Sequence, residues 1–457
     1  MLIKNMEKWA KYQIRRRAML LKYKLGSKEE VIPAKKPNRS VEKSLKDFEM
    51  GRASKNVLVI AVDCFRYWST SQSGYERDTT PLFDSFGKFI KAHAPAPWTY
   101  PSVPSILSGL YPHRHGAFLR GEFKNFTKLS SLKPLKSSVP LITDVLEMGG
   151  YRIYVATAID PVSYSLRGRV DIVQHHYLTP AEKVFQRFMK WTSKGERPFF
   201  AYLHLGDLHE PLNPPKEYRN YFGKVKNLPN IDTWNYNFQQ EREQDPKGFE
   251  KYRFYRVLLY DNVLRYVNDT LERLVGELEK RKLLDDTLVV ITADHGEEFW
   301  EHAKVEAKHF KHAKGWSGIS HGHNVFAEII DVPLLIGGYV ESPVRTGTPR
   351  SLVDIVPTIL DTLDIGYPRG FFDGVSLFKK RKTPVLSEGV SSGYEKKALI
   401  DGKHKLLHAP GDGVKWVFDY VSDPRDTKPI ENEDHVEEME RKLKMLMVSG
   451  IGRGIRI

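Results

Sequence analysis

The sequence predicts an α/β protein, with a largely parallel sheet flanked by helices and a smaller C-terminal α+β lobe. Three observations carry this. Short unbroken apolar runs recur along the chain, amphipathic helix-like stretches separate them, and after about Gly366 the runs shorten and turns multiply. A strand buried on both faces shows no polar alternation, and such strands alternating with helices build parallel sheets. The chain has 457 residues, 40% apolar and 12% aromatic, enough for a full core.

Residues 1–55 hold 16 Lys/Arg against 6 Asp/Glu and so carry +10 of the net +14. Met1 to Leu25 reads as a basic helix with Leu2, Met6, Trp9 and Ile14 near one face. Such a helix suits an anionic membrane surface. The commoner role is a solvated helix packed on the body or on another subunit, and nucleic acid is the weaker alternative partner. Residues 26–55, with Pro33, Pro37 and many charges, read as a linker. Lys and Arg interrupt any apolar N-terminal run, and Cys64 is the sole cysteine, so no internal disulfide forms. The expectation is a cytoplasmic protein, peripheral to the membrane if the basic helix engages it.

Folding begins at Asn56. Val57–Val62 is the first buried-strand run, and Tyr151–Ala156, Pro198–Leu203, Thr287–Thr292 and Val332–Ile336 follow. Val139–Met148 and Phe249–Lys282 read as helices between them. Lys224–Lys247 and Ala303–Ser320 are polar insertions, the second rich in Lys, His and Gly. The expected organisation is 1–55 as basic helix and linker, 56–365 as the catalytic α/β domain, and 366–457 as the C-terminal subdomain.

Ligands of α/β sheets bind beyond the carboxyl ends of the strands. Asp63 closes the first run, the 198–203 run leads into His204, Asp207 and His209, and the 287–292 run leads into Asp294-His295-Gly296-Glu297. Taken singly, each is more often a turn former. Their shared position points to one rim, where Asp63, Asp294 and His295 offer oxygen and nitrogen donors for a divalent ion. Thr99 lies in Trp98–Gly109, which reads as a loop entering a short helix, with Ser102 as cap and Pro104 in its first turn. A hydroxyl beside a helix N-terminus and a metal becomes a competent nucleophile.

Taken together, these segments resemble the sulfatase family of the alkaline phosphatase superfamily, in its threonine-nucleophile branch. Asn56–Asp63 with Arg66 is similar to the family's opening strand, and Asp78-Thr79-Thr80-Pro81 to the approach to its first helix. Trp98–Gly116 resembles the nucleophile motif. Tyr202–Pro211, Thr292–Glu298, His321-Gly322-His323 with Glu328, Ser351–Thr358 and Asp373–Leu377 follow in the family's order, and Asp401–Leu406 and Asp423-Pro424 echo it. The resemblance implies an alkaline-phosphatase-like core and hydrolysis of sulfate esters using a divalent metal (Mn, Zn or Ca; one or two ions). It maps Asp63, Thr99, Asp294 and His295 to the metal, Thr99 to the nucleophile, and His209 and His323 to catalytic contacts with the anionic group. Asp207, His321 and His115 are candidates for a second metal or for substrate, His115 equally for turn packing. Three departures stand out. Thr99 replaces the cysteine that becomes formylglycine, Cys64 stands where a second Asp is usual, and no lysine–histidine segment is recognisable near Ile159. A phosphodiesterase or phospho-group transferase with the same centre is the alternative, and a non-catalytic membrane-surface binder a second one. The partner is then an anionic sulfate or phosphate ester; the oligomeric state stays open.

Overall fold

The computed structural model describes residues 30–34, 39–51, 54–196, 198–340 and 342–449. The basic helix expected over Met1–Leu25 lies outside the described residues. Eight strands form the main sheet: β1 (Glu30–Ile32), β2 (Asn56–Val62), β3 (Lys88–His93), β4 (Arg152–Thr157), β5 (Ile172–Gln174), β6 (Phe199–Leu205), β7 (Thr287–Ala293) and β8 (Asp331–Gly338). Their order is β1-β5-β4-β6-β2-β7-β8-β3. The pairs from β5 through β7 are parallel, while β1, β8 and β3 join antiparallel to their neighbours, so only β1 and β8 oppose the rest. All five predicted runs are strands, and the sheet is largely parallel as expected.

Central position explains the composition of β2, where Val57 to Val62 are all at most 1% exposed. Each of the Val, Leu and Ile side chains there contributes roughly 1.5–3 kcal/mol. Among the flanking helices are α1 (Thr99–Ser108), α2 (Ala181–Thr192), α3 (Pro246–Lys280) and α4 (Ile355–Thr362). Helix α3 runs for 35 residues, starting where the Asp245 carboxylate accepts the Gly248 N–H and Pro246 occupies the first turn. Its buried stripe, Leu259, Val263, Val267, Leu271, Leu274 and Leu278, follows the helical period. Among the described residues, no helix is long and apolar enough to cross a membrane.

The C-terminal lobe is a four-stranded antiparallel sheet, β9 (Val385–Ser387), β10 (Lys397–Asp401), β11 (His404–Ala409) and β12 (Val414–Asp419), with α5 (Glu433–Ser449) against it through Met439 and Leu443. It shares a core with the main domain, since Val325, Phe326 and Ile329 cluster with Ile400, Leu407 and Phe418.

The linker reading is corrected within the described part of 26–55. Strand β1 extends the main sheet, and Val41, Leu45 and Phe48 are buried in the core. Glu49 and Gly366 exchange both backbone hydrogen bonds, at 3.0 and 2.9 Å. The Phe48 ring meets Phe371 edge-on at 5.0 Å. Phe48→Ala is therefore expected to destabilise the protein by about 3 kcal/mol, read as a lowered thermal midpoint; a linker residue would leave the midpoint unchanged.

Candidate active site

Two carboxylates reach the site because β2 and β7 are neighbours in register. Val62 pairs with Ala293, so Asp63 and Asp294 leave the sheet side by side. His204 faces the same place from β6, where it pairs with Ala61, two residues before Asp63. The loop after Asp63 is held from outside. The Tyr260 hydroxyl on α3 donates to the Cys64 carbonyl at 2.7 Å and accepts the Arg66 N–H at 3.1 Å.

Thr99 is the first residue of α1, not a residue before it. The cap position is Trp98, and Ser102 does not cap; its hydroxyl donates to the Asp294 carbonyl at 2.6 Å, tying the helix to the β7 end. Pro104 accordingly falls inside the helix, past the first turn. The Thr99 hydroxyl then lies 3.2 Å from Asp63 Oδ2 and 3.2 Å from His295 Nε2.

These atoms fit a divalent ion. His295 Nε2 is 3.3 Å from Asp294 Oδ2 and 3.5 Å from Asp63 Oδ1, and His204 Nε2 is 3.4 Å from Asp63 Oδ2. Bonds of about 2.0–2.2 Å to one tetrahedral ion separate its donors by about 3.3–3.5 Å. Asp294 Oδ2 is buried with no hydrogen-bond partner among the described residues, an orphan that a cation would satisfy. The His295 Nδ1–H donates to the Gly296 carbonyl at 2.8 Å, which fixes the tautomer and leaves the Nε2 lone pair inward. Burial and the neighbouring Asp63 push the Asp294 carboxyl up. Burial would also raise Asp63, but the hydrogen bond from His204 and the charges of His209 and His295 hold it well below the usual range. Cys64 is fully buried, its thiol 3.0 Å from Asp63 Oδ1 and pushed well up by burial.

A row of imidazoles extends from the Thr99 group. The His295 and His321 rings are 4.3 Å apart, and His321 and His209 are 5.5 Å apart. His321 Nδ1 donates to Glu297 at 3.0 Å, and His209 Nδ1 lies 2.8 Å from the Glu210 carbonyl and 2.7 Å from the Tyr177 hydroxyl. Both rings are thus anchored through Nδ1, with Nε2 available to an anion or a metal. Burial would lower the pKa of His209, but Asp63 raises it. Cys64, His209 and His321 also form a three-donor group suited to an ion.

Three expected residues lie elsewhere. Asp207, proposed for a second ion, instead accepts the Ala181 N–H at the start of α2; its carboxyl, pushed up to about 7 by burial, lines a cavity of about 370 Å³ beside Tyr177. His115 sits behind α1, its Nε2 2.9 Å from the Ser105 hydroxyl and 3.2 Å from the Pro101 carbonyl, its Nδ1 accepting the Ala117 N–H. Burial lowers it to about 3, so it is a neutral packing residue. His323 pairs with Glu306 at 3.0 Å and Glu298 at 3.4 Å instead of joining the Thr99 group. His309 and His312, in the polar insertion, pack against Trp416 and Trp316. Conversely, His204 and Glu297 carry no role in the sequence reading beyond their place at the rim, and Tyr177 is absent from it. For His204 a signal existed, because a histidine inside an apolar run needs a reason to be there.

The sulfatase family profile matches residues 55–365. The chain belongs to the sulfatase family. This sulfatase-family chain is 25% identical to the choline-sulfatase of Rhizobium meliloti (strain 1021) over 263 residues, 53% of its own length and 48% of that relative. It thus spans about half the length of that protein. Arylsulfatase K of Xenopus laevis is 25% identical over 434 residues, 79% of this chain and 75% of the relative. Among solved structures, a 2-O GAG sulfatase superposes with a TM-score of 0.64 at 18% identity, covering 88% of this chain and 92% of that one, which shows a shared fold.

The motif that carries Asp294 and His295 ends in a buried ion pair. His302 Nε2 lies 2.8 Å from Glu328, whose other oxygen takes Arg425 at 2.6 Å. Burial alone would lower the His302 pKa, yet Glu328 raises it to about 9. With the folded pKa above the unfolded one, the pair stabilises fully below pH 6.5, and its contribution is lost as pH rises through about 9. The loss is on the order of 3 kcal/mol. Denaturant midpoints measured from pH 6 to 10 are expected to fall across that window in the native protein and to flatten in His302→Gln.

Proposed function

We propose that the protein is a divalent-metal-dependent, sulfatase-type ester hydrolase in which Thr99 is the nucleophile. One observation carries this reading: the Thr99 hydroxyl lies 3.2 Å from both Asp63 Oδ2 and His295 Nε2, beside the orphaned Asp294 Oδ2. Asp63, Asp294 and His295 would hold the ion, with His204 beside them. A divalent cation there (Mn²⁺, Zn²⁺ or Ca²⁺) supplies a Lewis acid for the threonine hydroxyl and for one ester oxygen.

The chain's own groups supply the rest. Asp63 orients the hydroxyl by accepting its hydrogen bond, and the helix α1 N-terminus favours negative charge at Thr99. The threonine hydroxyl passes its proton to Asp63, which accepts its hydrogen bond, as its oxygen attacks sulfur; the bond from sulfur to the leaving oxygen breaks, and the departing alcohol takes a proton. His209 is suited to donate it, because Asp63 favours the imidazolium. Water then attacks the sulfur of the threonine ester, releasing sulfate and restoring the hydroxyl.

The same centre supports transfer of a phospho group to an alcohol. The imidazole of His295 and an unmodified threonine favour that second reading, because an ester of threonine can be passed to any acceptor that reaches it. Turnover of p-nitrophenyl sulfate, p-nitrophenyl phosphate and a phosphodiester under each metal, with and without glycerol, separates the readings. Hydrolysis predicts nitrophenol and inorganic anion in equal amounts, and transfer predicts nitrophenol in excess when glycerol is present.

Thr99→Ala is expected to lower kcat on the order of a thousandfold or more, while Thr99→Ser keeps measurable activity. Full activity in Thr99→Ala would eliminate the mechanism. His295→Ala is expected to lose bound metal, measured by mass spectrometry of dialysed protein, in step with its loss of turnover.

A further inference from the structure

A further group of metal donors lies in the segment from Glu298 to His323. Glu298 opens the two-residue strand Glu298–Phe299, which pairs with Ile319–Ser320; Glu306 is on the helix Ala303–His309; and His323 follows the hairpin. One donor atom from each lies within 4.8 Å of the others. Glu298 is 0%, Glu306 3% and His323 5% exposed. We infer that Glu298, Glu306 and His323 form a structural site for a divalent cation of the Zn²⁺ type, separate from the Thr99 centre.

The donor geometry supports an ion over a simple ion pair. His323 Nε2 is 3.0 Å from Glu306 Oε1 and 3.4 Å from Glu298 Oε2. Yet neither ring nitrogen of His323 has a hydrogen-bond partner among the described residues, and neither does Glu298 Oε2. An imidazole that close to two carboxylates without a directed hydrogen bond is placed as a ligand is placed, its neighbours being the other corners of a polyhedron with edges of about 3.3 Å. Other donors hold both carboxylates as well, one of them at Glu306 Oε1, the oxygen that faces His323. Glu298 Oε1 accepts the His302 N–H at 2.9 Å, and Glu306 accepts the Gly318 N–H at 2.5 Å and the Asn324 side-chain amide at 2.9 Å. Such outer contacts fix the ligand orientations. Two carboxylates and one imidazole suit Zn²⁺ and balance its charge.

The consequence is positional. Gly322, at φ 77°, turns the chain between His321 and His323. His321 faces His295 and Glu297 while His323 faces the two glutamates. A cation there would fasten the 303–320 segment to the catalytic motif and hold His321 in its row.

The test uses the full chain, loaded with Zn²⁺ and crystallised, with anomalous maps recorded across the zinc edge. A peak among Glu298, Glu306 and His323 is expected, and His323→Ala and Glu306→Gln are expected to bind one zinc fewer per chain by mass spectrometry. No peak there overturns the site and leaves a protonated His323 bridging two carboxylates as the explanation. An unchanged zinc content in a folded His323→Ala does the same. Should either variant fail to fold, the map of the unaltered protein decides. A peak at Asp63, Asp294 and His295 is read independently, so the fate of the proposed catalytic metal does not affect this outcome.

Discussion

Two carboxylates emerge side by side from adjacent parallel strands, in a place that water does not reach. Asp63 and Asp294 are both fully buried. Like charges without solvent repel strongly and lose hydration, so such a pair persists only with compensating positive charge or a bound cation. Much of the surrounding structure answers to that constraint. The helix carrying Thr99 is tied to one carboxylate's backbone through Ser102, and imidazoles approach from three directions. The chemistry of the site and its electrostatic cost have the same origin.

The proposed mechanism fits this constraint, and its unusual part is the attacking atom. In the sulfatase relatives that use formylglycine, the nucleophile is an aldehyde hydrate. Thr99 offers a plain secondary alcohol instead, closer in chemistry to enzymes that pass a group onward. The imidazole of His295 in the ligand set is softer than a carboxylate, and that favours a transition ion over Ca²⁺. The two side chains lie 3.2 Å apart.

What could be read from the residue order follows from what produces each element. Runs such as Val57–Val62 announce themselves because a doubly covered strand tolerates no polar side chain. Strand β3, with Lys88 and Lys91 at an edge, lacks that mark, and β1 is only three residues long. Asp63, Asp294 and His295 were legible because they follow strand ends. His204 was visible at the end of its run, but without a role, since an apolar strand surrounds it. His323 sits close to a family position, but a left-handed Gly322 sends it the other way, a turn that spacing alone does not reveal. The stretch from Val41 to Phe48 resembled a linker because charge dominates its composition, while the three residues that anchor it are few and widely spaced.

The phenol of Tyr260 clasps the loop beyond Asp63 on both sides, through one carbonyl and one amide. Helix α3, which bears it, is a stiff beam some fifty ångströms long on the outside of the sheet. The same helix holds the neighbouring motif as well, since Arg253 Nε donates to the Phe299 carbonyl at 3.0 Å. One outer helix thus sets the place of two loops that lie far apart in the sequence.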